Sequence, residues 1–77
     1  MKNSIEKASL LISDYTLTDS IEEKDSFLYL AGKYIQDIGN PEITLMYNKV
    51  CDPDIHEKEI YLEILIDLLN NAGSHNI

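Results

Sequence analysis

The chain reads as an all-α protein, a small four-helix bundle. Three observations point there: four segments repeat their apolar residues at helical spacing, each is bounded by capping or breaking residues, and no window alternates apolar and polar residues over the length of a strand. Short connections make neighbouring helices antiparallel. The stretch EITLMYNKV at 42–50 holds β-friendly residues, but a single strand would have nothing to pair with.

The first helix is expected over about 4–16, with Ser4 as its N-cap. Ile5, Ala8, Leu11, Ile12 and Tyr15 mark its inner stripe. The second spans about 20–38. Ser20 caps it, and Glu23 stands where a capping box places its acid. Phe27, Leu28, Ala31, Tyr34, Ile35 and Ile38 form its stripe, and Gly39 closes it as a left-handed C-cap. Asn40 then caps the third helix, about 41–50, with Pro41 in the first turn. Ile43, Met46, Tyr47 and Val50 point inward. Cys51-Asp52-Pro53-Asp54 breaks it, and Asp54 with Glu57 is expected to cap a fourth helix over about 54–71. Asn70, Asn71 and Gly73 end that helix, and 74–77 is expected to be a frayed tail of the single domain 1–77.

Composition narrows the function. At 77 residues, 44% apolar, the chain is one domain with too much apolar content for disorder. A domain this small buries only about 60% of its unfolded surface, so its stability is marginal. Its one cysteine excludes an internal disulfide and suits a reducing, cytoplasmic setting. Cys51 is expected as a buried or half-buried core thiol. The opening MKNSIEKASL has no apolar run suited to export, and no segment approaches the ~20 apolar residues of a membrane span. Fourteen acids oppose six lysines with no arginine, for a formal charge of −8. Such a chain repels nucleic acid and anionic lipid and draws basic partners, although acidity also serves plain solubility.

The fourth helix carries the strongest functional signal. Ile60, Tyr61, Leu62, Ile64, Leu65, Ile66, Leu68 and Leu69 cover roughly two-thirds of its circumference at about 100° per residue. An ordinary surface helix needs a little over ~100° of apolar face. Either this helix is central in the bundle, or it meets a second copy of the chain through Leu62, Ile66 and Leu69. Glu59, Glu63 and Asp67, spaced i, i+4, i+8, fill the remaining strip and repel one another. A solvated face is one reading, and a docking strip for a basic protein is the other. Asp52, Asp54 and Glu57 come next as partner-binding candidates, and Asp19, Glu22, Glu23 and Asp25 form a further cluster. If the fold joins two of these clusters, the surface becomes continuously anionic.

Catalytic patterns are missing from the sequence. His56 lies beside Asp52, Asp54 and Glu57, but no ligand spacing typical of a metal site accompanies it. Cys51 has no positioned base. Phosphate-binding loops and nucleophile elbows are absent. No cofactor, metal or enzymatic activity is therefore expected. Tyr15, Tyr34, Tyr47 and Tyr61 fall on apolar stripes, whereas Tyr29 falls off its stripe and is expected to be exposed, with Lys33 at i+4.

Two resemblances are local. Asp19-Ser20-Ile21 resembles the Asp-Ser-Leu of acyl carrier proteins, which would make Ser20 a phosphopantetheine site, but the long loop that precedes that motif is missing. Ile12-Ser13-Asp14-Tyr15-Thr16 is similar to a short run in colicin nuclease immunity proteins, which are small acidic four-helix inhibitors. That likeness carries over no binding residue. The expected function is a small acidic helical protein that binds and blocks a basic protein, such as a nuclease or DNA-binding protein, in the manner of an immunity protein, an antitoxin or a nucleic-acid mimic. The alternative is a self-associating structural or regulatory adaptor.

Overall fold

A computed structural model describes residues 3–74. It contains four helices: α1 (Ser4–Leu17), α2 (Ile21–Ile38), α3 (Pro41–Cys51) and α4 (Lys58–Ser74). Each helix packs against its two neighbours in a ring, α1–α2–α3–α4 and back to α1, while α1 and α3, and likewise α2 and α4, lie across the diagonals. The chain runs up, down, up, down. Ser4 Oγ donates to Asp37 Oδ2 at one end of the α1–α2 pair, and Thr18 Oγ1 donates to Glu23 Oε1 at 2.5 Å at the other.

The helix boundaries follow from local chemistry. Ser20 Oγ accepts from the Glu23 amide at 3.2 Å, as a capping box requires. The Glu23 carboxylate takes the Thr18 hydroxyl, whose oxygen in turn accepts from the Ser20 amide at 3.2 Å. Thr18 thus relays the bond that Glu23 would otherwise make directly. Gly39 closes α2 with φ 70°, ψ 21°, a conformation that costs a residue with a Cβ about 1–2 kcal/mol. Asn40 Oδ1 then accepts from both Glu42 and Ile43 amides, with Pro41 opening α3.

Three boundaries differ from expectation. The α1 N-cap is Asn3, whose Oδ1 accepts from the Glu6 amide at 2.8 Å, and Ser4 is the first helical residue. The fourth helix starts at Lys58 rather than Asp54. The Asp52 side chain accepts from the Asp54 amide at 2.9 Å and its carbonyl from the Ile55 amide, so the Asp-Pro-Asp run closes a turn on itself. At its far end α4 continues past Asn71 through Ser74; residues 75–77 of the expected tail lie outside the described residues.

Each helix supplies two fully buried side chains to the core. Ala8 and Ile12 of α1, Ala31 and Ile35 of α2, Ile43 and Val50 of α3, and Leu65 and Leu69 of α4 form one buried cluster. A second shell of half-buried residues, including Leu11, Leu28, Met46, Leu62, Ile66 and Leu68, packs against these eight. The i, i+4 spacing on α1, α2 and α4 places each pair on one stripe.

Across the α2–α3 seam, Tyr47 lies over Gly32, and its hydroxyl donates to the Leu28 carbonyl at 2.7 Å. Burial, followed by a hydrogen bond to Cys51, pushes the Tyr47 phenol well above its ordinary 10.0. The Tyr15 phenol is also raised, first by burial. Raised phenol values mean that the unfolded chain ionises first as alkali is added. Stability is therefore expected to be level below pH 10 and to fall above it. Urea titrations between pH 8 and 11 check this: Tyr47→Phe should flatten the alkaline decline, and an unchanged slope would refute the assignment to Tyr47.

Candidate interaction surface

The up-down topology places the α1–α2 and α3–α4 connections at the same end of the bundle. Asp19 on the first connection and Glu22, Glu23 and Asp25 at the start of α2 lie there, with Asp54 and Glu57 on the second connection and Glu59 at the start of α4, all exposed. Asp52 is half-buried, with its carboxylate engaged in the turn. Tyr15, near the end of α1, registers the convergence: after burial, its phenol is raised by the negative charges of Cys51, Asp25 and Glu59, which come from three other helices.

From that end the anionic surface continues down α4. Glu59, Glu63 and Asp67 are all exposed and stand one turn apart, about 6 Å per step. Their strip faces water, as the sequence pattern predicts. The candidate dimer residues are placed differently. Leu69 is 1% exposed in the core, and Leu62 and Ile66 are half-buried and packed against it. The apolar residues that α4 leaves open are Ile60, 51% exposed, and Ile64, 40% exposed. Wheel geometry alone could not separate these sets, because the covered side depends on where α1 and α3 lie. At the acidic end, Leu17 and Ile21 are also largely exposed. A faint signal for them is present in the sequence: both sit at helix termini beside polar turn residues.

Most of the described lysines are seated on aromatic rings, and Lys24 and Lys58 stand within the acidic end itself. Lys7 lies over the Tyr34 ring, Lys24 over Tyr15, Lys33 over Tyr29 and Lys49 over Tyr61, with ammonium-to-centroid distances of 4.9–5.4 Å. These are cation–π distances. Four of the five described lysines thus rest on aromatic faces. Tyr29 is exposed, and the other three tyrosines are half-buried.

Cys51 is exposed at the end of α3, which corrects the expectation of a core thiol. Helix α3 turns Ile43 and Val50 inward, and position 51 falls about 100° past Val50, beyond the buried stripe. Among the described residues no group of three or more His, Cys, Asp and Glu side chains is arranged to hold a metal ion. No described helix is long and apolar enough to cross a membrane. Two open clefts lie on the surface formed by the described residues. One, of about 210 Å³, lies between α1 and α4 beside Ser9, Ser13 and Ile66, and the other, of about 260 Å³, lies between α2 and α3 beside Gly32 and Tyr47. Comparison with protein-family models, curated proteins and solved structures finds no match to this chain.

Proposed function

We propose that this chain is a non-enzymatic cytoplasmic binding protein that occupies the basic surface of another protein and blocks it. Its action would resemble that of an immunity protein, an antitoxin or a nucleic-acid mimic. The observation that carries this reading is the union of two acid-rich connections at one end of the bundle with the exposed Glu59, Glu63, Asp67 row of α4. The formal charge of −8 speeds encounter with a basic protein, and the acidic face then covers that protein's cationic groups. A nuclease or DNA-binding protein is the expected partner, because it presents a cationic surface shaped for phosphate.

Affinity capture from native extract with mass spectrometry should recover a basic protein. With that partner in hand, the Glu59→Gln, Glu63→Gln, Asp67→Gln triple variant is expected to slow association about tenfold at low salt and far less at high salt. An association rate independent of both salt and these substitutions would refute the reading. The exposure of Ile60 and Ile64 supports a second reading, a homodimer built on α4. Sedimentation distinguishes the two: a dimer that Ile60→Glu converts to a monomer would favour self-association.

A further inference from the structure

Along α4 an acid is followed in sequence by an apolar residue, about 100° further round the helix, once per turn: Glu59-Ile60, Glu63-Ile64 and Asp67-Leu68. The first two pairs are exposed. Ile60 and Ile64 are 51% and 40% exposed and the acids beside them are exposed, whereas Leu68 is half-buried. Two parallel ridges therefore run along the free face of α4, one anionic and one apolar. On the flanking α3, Leu45 is 51% exposed. Lys49, which precedes α4 on that side, is held over the Tyr61 ring at 5.3 Å.

We propose that this outer face of α4 is a docking track for a basic amphipathic helix of a partner protein. The proposal rests on the anionic-surface reading above and specifies what the partner presents there. Both rows follow the i, i+4 spacing of α4, and an amphipathic partner helix can set its own i, i+4 rows against them. A helix with lysine or arginine at i, i+4, i+8 beside leucine-like residues would set cations against Glu59, Glu63 and Asp67 and its apolar row on Ile60 and Ile64. Ridges of the i±4 type interlock at a crossing angle near 50°. A second copy of this chain is the poorer occupant, because each copy brings a formal charge of −8 to the contact. Nucleic acid is excluded by the same charge.

The test uses the whole protein and two defined probes: a synthetic helical peptide of about five turns built from leucine and lysine with the apolar residues on one face, and an oligolysine of equal charge. Binding is read by calorimetry and by amide chemical-shift mapping. The Ile60→Ser, Ile64→Ser variant should weaken the amphipathic peptide about tenfold and leave oligolysine unchanged. The acid-to-glutamine triple variant should weaken both probes, and Leu10→Ser, at an exposed position on α1, should weaken neither. Circular dichroism and urea midpoints confirm that each variant folds. If the serine variant binds the amphipathic peptide normally while the glutamine variant does not, the track is wrong and the anionic surface stands. If neither variant matters, both readings fall. Equal loss from Leu10→Ser would also overturn the track, and so would a dimer that the serine variant dissolves.

Discussion

Leu65→Ala is expected to cost about 2–5 kcal/mol, the range for truncating a buried leucine. Leu65 is 0% exposed, and with Leu69 it is one of the two α4 side chains at the centre of the core. Because α4 packs on both α1 and α3, a cavity there weakens both seams. In the same buried cluster Ile12, Ile35, Ile43 and Val50 are β-branched and Ala8 and Ala31 are alanine, so they have little freedom to collapse into the space. For a domain of this size each kcal/mol corresponds to roughly 4–8 °C in Tm. The midpoint should therefore drop by at least about 8 °C. Thermal and urea unfolding followed by circular dichroism measure it. A loss below ~1 kcal/mol would show that Leu65 does not sit where this fold places it.

Gly32→Ala is expected to destabilise even though alanine is the better helix former. Gly32 lies inside α2, where replacing glycine with alanine ordinarily gains about 1 kcal/mol. Here a Cβ would stand 2.4 Å from the Tyr47 hydroxyl oxygen and 3.0 Å from the ring carbon bearing it. The tyrosine is the rigid bridge across the α2–α3 seam and cannot swing away without breaking its bond to the Leu28 carbonyl. Overpacking costs typically 1–3 kcal/mol and the lost hydrogen bond about another 1. The net expected loss is about 1–3 kcal/mol. Tyr47→Phe in the same chain removes the clashing oxygen, so the double variant should recover part of the loss. This non-additivity is the diagnostic result. Additive losses would mean that the two residues do not meet, and a stabilised Gly32→Ala would refute the seam geometry outright.

Much of this architecture was legible in the sequence because it is set by neighbours in the chain. Ser20, Gly39 and the Asn40-Pro41 pair act within one turn of themselves, and each does in the structure what its chemistry requires. Inward stripes were equally readable: Ala8, Ile12, Ala31, Ile35, Ile43 and Val50 all lie on the predicted faces and all are buried. The start of α4 was not readable. Asp52-Pro53-Asp54 can begin a helix or fold back into a turn, and the same side-chain oxygens serve either outcome. The candidate surface divides in the same way. The row Glu59, Glu63, Asp67 follows from helical period alone, whereas the exposure of Ile60 and Ile64 depends on where α1 and α3 sit around α4, which period does not encode. Likewise, the joining of the two acidic connections required the up-down order of all four helices.

The lysines seated on tyrosine rings have a thermodynamic consequence. A fold clamped by carboxylate–ammonium pairs loosens when dissolved ions shield those attractions. Here Lys7, Lys24, Lys33 and Lys49 are held by quadrupoles, while the surplus carboxylates push against one another across the surface. Added electrolyte is therefore expected to relieve that repulsion in the folded form, while it would dull attraction to the proposed cationic target. If the proposed complex forms, conformational stability and complex formation would respond to ionic strength with opposite signs, so conditions that preserve the free molecule best would keep it most solitary.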